Sequence, residues 1–177
     1  MKKIIVVLLF LLASLTADAA DHDVVWSDYS GNLKLVAFHD EESAAEFQGQ
    51  EILRGRLYFE FDLTGDGMVD GVLFAKLVPD SNSLAKLPFA IAGFYPSKID
   101  YISLINPERA LDMIVGTEEA LRLSHGKKPE VSFDVEVVID LFQSSVECDA
   151  RHYFAQAISI RLTGHKYASI DHAPHGC

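Results

Sequence analysis

The stretch from Val131 to Phe142 leaves this chain the least freedom. Val131, Phe133, Val135, Val137, Ile139 and Leu141 alternate with Ser132, Asp134, Glu136, Val138, Asp140 and Phe142. Strict period two sends every second side chain to the same face, so the segment reads as a long strand with one buried and one wet side. His152–Leu162 alternates too, with Phe154, Ile158, Ile160 and Leu162 together. Gln143–Arg151 is short enough to join the two as an antiparallel pair.

A second hairpin lies upstream, in Arg56–Leu77. Leu57, Phe59 and Phe61 alternate with Tyr58 and Glu60 at the end of a strand over Ile52–Phe61, and Val72–Val78 is an apolar run stopped by Pro79. Val24–Trp26, Leu33–Phe38 and Ile99–Ile105 read as further strands, and Asp80–Ser83 as a turn. Leu87–Tyr95 fits a buried strand or an irregular core segment equally well. Helix signals are few. Asp40 would cap a helix over Glu41–Gln48, with Ala44, Ala45 and Phe47 buried and Gly49 as the stop. Asn106-Pro107-Glu108 opens a helix with a cap, a proline at its first position and an acid in its first turn. Leu111 and Ile114 would face the core. Gly116 interrupts, and Thr117-Glu118-Glu119 restarts a helix ending at His125-Gly126. The expected class is α+β: one domain, a mainly antiparallel sheet built around the 56–77 and 131–162 hairpins, and two or three short helices. No internal repeat points to a propeller or solenoid.

The loop of the first hairpin carries the chemistry. Asp62, Thr64, Asp66 and Asp70 place oxygen-bearing side chains along it, and Gly67 permits a sharp bend. Calcium takes six to eight hard oxygen ligands from carboxylates, carbonyls and water, and the Met68 carbonyl is the natural backbone donor. Asp66-Gly67 is also a strong turn signal by itself, since Asp and Thr bond their own backbone in turns. Three aspartates within nine residues would still repel one another without a cation. The spacing follows the EF-hand loop through its ninth position, but its twelfth is Leu73 where a bidentate Glu is needed, and the flanks are strands. The loop more closely resembles the calcium-binding β-hairpin loop of FG-GAP and integrin-type propellers, D-x-D-x-D-G-x-x-D. That resemblance covers a single copy of the loop. It implies a structural Ca2+ ligated by Asp62, Thr64, Asp66, Met68 (carbonyl) and Asp70, and weakened by Thr64 in place of the usual Asp or Asn.

Met1–Ala19 reads as an export signal: Lys2 and Lys3, the apolar run Ile4–Ala13, then the small-x-small site Ala17-Asp18-Ala19. A periplasmic or secreted location follows, with residues 20–177 as the mature domain and no transmembrane anchor left after cleavage. Removing Lys2, Lys3 and Asp18 leaves 13 basic and 25 acidic residues, a formal charge of −12. Such a surface repels nucleic acid and favours basic partners or cations. In an oxidising compartment Cys148 and Cys177 are expected to form a disulfide. Closing that loop would contribute about 3–4 kcal/mol and tie down the C-terminal tail. His165, His172, His175 and Cys177 offer transition-metal ligands as the alternative use of that tail.

Two further constellations have bland readings beside functional ones. Asp134, Glu136 and Asp140 form an acidic stripe that Arg161 on the paired strand would partly neutralise. Glu147, Asp149, Arg151 and His152 would form an acid–base cluster or a solvated loop. No nucleophile elbow, zinc motif or phosphate loop is present. The expected function is an exported acidic binding protein with a structural calcium loop, engaging a basic protein partner in the manner of an inhibitor or immunity protein. The alternatives are a secreted hydrolase using carboxylates and histidines, and a calcium-stabilised structural envelope protein.

Overall fold

Three strands of 18 or 19 residues carry the fold, about three times the usual length. The computed structural model describes residues 24–39, 43–62, 72–93, 95–116 and 130–168. In chain order these form β1 (Val25–Trp26), β2 (Lys34–His39), β3 (Ala44–Asp62), β4 (Val72–Pro79), α1 (Ser81–Leu84), β5 (Ala90–Ala92), β6 (Ile102–Leu104), α2 (Pro107–Val115), β7 (Glu130–Glu147) and β8 (Ala150–Ala168). Among the described residues strand accounts for 63% and helix for 12%. The expected α+β class is therefore corrected to a β-rich fold.

Strands this long must bend to enclose a core, and β-bulges are the means. β3 shifts register between Gln48 and Glu51, where Gly49 takes φ 138°, and β7 shifts between Ile139 and Leu141 on the strand beside it. The first half of β3 pairs with β2 and β7, the second half with β4 and β7. The circuit then closes: β3–β4–β6–β8–β7 and back to β3, antiparallel throughout except for the parallel pair β6–β8. A five-stranded barrel in this order, with its helix between the third and fourth barrel strands, has the connectivity of the OB-fold. β1 and β5 form a separate small ladder. At Gly55, where β3 passes between β4 and β7, a Cβ would collide with the Val78 carbonyl and lie 2.9 Å from Pro79 Cα.

The core fills the barrel. Phe59 and Phe133 meet edge-on at 6.0 Å, and Trp26, Phe47, Phe142 and Tyr153 form a chain of ring contacts at 4.9, 6.0 and 5.8 Å. Leu53, Leu57, Leu77, Ile102, Leu111, Val135 and Ile139 complete the interior.

Several local expectations are corrected. The helix expected over Glu41–Gln48 is strand from Ala44 onward, because Ser43, Ala45 and Phe47 bury at period two against β2 and β7. Asp80–Ser83 is not a plain turn but the entry to α1, with the Ser83 N–H donating to Asp80 Oδ1 at 2.7 Å. α2 starts at Pro107 with Glu108 in its first turn, as the pattern implies, yet Asn106 makes no side-chain capping bond. The helix expected after Gly116 lies outside the described residues.

The alternation of the second hairpin also changes phase. The bulge after Ile139 turns Phe142 fully inward and leaves Leu141 half-buried, the reverse of the pattern's reading. Further along, Tyr153 and Ala155 are buried, Phe154 faces outward and Leu162 is exposed. The expected connection Gln143–Arg151 is mostly strand: Cys148 and Asp149, both at positive φ, make the whole turn. Cys148 is exposed at that tip, and Cys177 lies outside the described residues.

Candidate functional site

A groove of about 670 Å³ crosses the outer face of β4 and β6. β4 builds one wall. Leu73 and Ala75 point into the barrel, so Phe74 and Lys76 point out, and Phe74 is 43% exposed. Tyr101, Ser103, Ile105 and Pro107, from β6 and the start of α2, supply the opposite wall, with Ile105 41% exposed. Glu147, His152 and Phe154 of the β7–β8 hairpin close one end.

The polar floor is organised around Lys76. Glu60 stands opposite Phe74 on β3, one diagonal step from Lys76. The ammonium donates to Glu60 Oε2 at 3.2 Å and lies 5.4 Å from the centre of the Tyr101 ring. Its side chain is only 12% exposed, so the ion pair and the ring together hold a largely desolvated charge. His152 Nε2 lies 3.1 Å from the Glu147 carbonyl, which fixes that nitrogen as the donor. Sequence reading missed this site. Lys76 is the one charge in the run Val72–Val78, and that break in an otherwise apolar strand was the available signal.

β6 is short, and this shapes the groove. It pairs with β4 only at Lys76 and Leu77. Among the described residues, no strand pairs with Val72–Ala75 on the edge turned away from β3.

The expected calcium loop springs from the same hairpin. Asp62 and Val72 form the last pair of the β3–β4 ladder, so the loop's two ends leave from adjacent strands. Of the expected ligands, Asp62 is placed by its backbone, and Thr64, Asp66, Met68 and Asp70 lie outside the described residues. Among the described residues no three His, Cys, Asp or Glu side chains converge as a metal group. His172, His175 and Cys177 also lie outside them.

The acid–base reading of the hairpin tip is corrected. Arg151 turns inward and is 4% exposed. It donates to the Ser43 carbonyl at 2.8 Å, to Ser144 Oγ at 2.7 Å and to the Tyr95 carbonyl at 3.2 Å, and it lies 5.6 Å from the Trp26 ring. Burial lowers its pKa, and the hydrogen bonds are what keep the charge tolerable. Asp149 accepts from the Tyr95 hydroxyl at 3.1 Å. Arg151 therefore ties Ser43, the Tyr95 loop and β7 together, and does not join Glu147 and His152.

The acidic stripe is present but compensated. Glu136 accepts from Arg161 at 2.8 Å, as the cross-strand pairing implied, and also from Arg54 at 2.9 Å. These two guanidiniums, Arg161 first, hold its carboxyl below the ordinary value. Asp134 faces Arg56 at 3.4 Å. Two of the stripe's three carboxylates thus meet three arginines. No helix among the described residues is long and apolar enough to cross a membrane. No family model, curated protein or solved structure matches the chain.

Proposed function

We propose that this chain is an exported binding protein that takes a basic protein partner, of inhibitor or immunity type, in the β4–β6 groove, with a structural calcium ion in the neighbouring loop. The groove itself carries this reading. It joins exposed apolar anchors, Phe74 and Ile105, to two carboxylates, Glu60 and Glu147, against a single ammonium. Anchors of this kind supply most of the binding energy at interfaces, while the charges steer the encounter and select its sign. The acidic surface disfavours nucleic acid, whose phosphates need Lys and Arg.

The test uses purified protein immobilised against an envelope extract, in wild-type form and as Phe74→Ala and Glu147→Lys. Both positions are exposed, so the fold is expected to survive, and circular dichroism checks it. A basic protein retained by the wild type and lost at least tenfold by both variants supports the reading. Equal retention by all three forms sinks it.

Calcium is tested separately by thermal unfolding in millimolar calcium and in chelator. A loop with three carboxylates and an extracellular-type affinity would add about 0.4–1.4 kcal/mol at about 1 mM calcium, or roughly 1–6 °C in Tm. Asp66→Ala is expected to abolish the difference. Identical melting with and without calcium would reduce the loop to a turn.

A further inference from the structure

The groove has a second property besides its lining. Val72–Ala75 pairs with Phe59–Asp62 on one edge only, because β6 begins beside Lys76 and Leu77 and runs for three residues. Among the described residues the other edge of Val72–Ala75 has no strand partner, and it opens into the groove. Along a strand every second residue turns both its N–H and its C=O to a given edge. A four-residue edge therefore offers about four main-chain hydrogen bonds over roughly 13 Å.

We infer that the groove receives its partner as an extended basic segment that adds to the barrel as a strand beside Val72–Ala75. The inference rests on the groove being the binding site. Main-chain pairing along β4 would fix register and direction. Alternate side chains of the incoming strand lie beside Phe74 and between Tyr101 and Ile105, which favours apolar residues at those places. Glu60 and Glu147 border that same outward face, so lysine or arginine is favoured at the neighbouring outward positions, while the intervening side chains turn to the face of Leu73 and Ala75.

A random linear-peptide display library selected on the protein, with Glu147→Lys as counter-selection, tests this. Expected winners carry their apolar and basic residues together at every second position. Their synthetic versions, followed by 15N–1H NMR, shift the Val72–Lys76 amides and slow hydrogen exchange there. N-methylation of alternate peptide nitrogens on the pairing edge weakens binding at least tenfold, while methylation of the outward nitrogens leaves it within twofold. Equal binding by both methylated forms, shifts confined to another face, or no peptide enriched above the counter-selected background would each overturn strand addition. If the extract partner still depends on Phe74 and Glu147 in those cases, the groove remains the site and only the docking mode falls.

Discussion

Glu51 shows how much a single buried charge can organise. It is 5% exposed, yet its carboxylate accepts from the Asn32 N–H at 2.9 Å, the Ile52 N–H at 3.1 Å and Lys86 Nζ at 3.1 Å. Burial pulls its pKa up, but the backbone donors and the Lys86 ammonium outweigh this and leave it below the ordinary 4.5. Stabilisation from this group is therefore complete above pH 4.5 and is lost as the pH falls through the lower folded value. Glu51→Gln is expected to cost about 1.5–3 kcal/mol at neutral pH and to flatten the acid limb of the stability curve. Urea midpoints on both sides of the titration check it. Parallel acid losses in wild type and variant would assign the limb elsewhere. Neither Glu51 nor Arg151 was legible as an interior residue, since such side chains are exposed by default and their partners lie far along the chain. Asn32 is 19 residues from Glu51, and Ser43 is 108 from Arg151.

Among the elements, β7 separates what periodicity reports from what it hides. Alternation identified the strand and the correct inward set from Val131 to Ile139, because period two is a local property. It could not locate the bulge, which inserts one residue and reverses every side chain beyond it. Phe142→Ala is accordingly expected to cost about 3–5 kcal/mol, and Leu141→Ala no more than about 1.5 kcal/mol. Chemical denaturation of both variants measures this. The opposite order would return β7 to an unbroken alternation. The segment before Glu51 failed for a related reason. Acidic residues after Asp40 and a Gly stop satisfy helix rules, while the two-residue period of Ala45 and Phe47 is too short to stand out until β2 and β7 flank it.

For the whole molecule, closure of the barrel couples the N-terminal segment to the C-terminal hairpin. Trp26, the single tryptophan, packs edge-on against Phe47 and beside Arg151, so its fluorescence reports the point where β1, β3 and β8 meet. Unfolding in urea is expected to give coincident transitions by tryptophan fluorescence and far-ultraviolet circular dichroism. A fluorescence transition that precedes the loss of strand signal would mean that the N-terminal segment detaches as its own unit. Charge is also arranged at this scale. Arginines gather on the β3–β7–β8 face around Asp134 and Glu136, which leaves the groove face with the acidic balance that a basic partner would meet.

By itself the sequence determined the two long hairpins, the start of the helix at Pro107 and the nearness of Arg161 to the acidic stripe. Each follows from spacing within a few residues or across one turn. Only the tertiary structure decided that the hairpins share the β3–β7 ladder and close through the parallel β6–β8 pair. The same closure set the bulges, the inward turn of Phe142 and Arg151, and the short β6 that leaves a groove beside β4. These depend on strands dozens of residues apart competing for the same edges and interior volume, and no local pattern carries that competition.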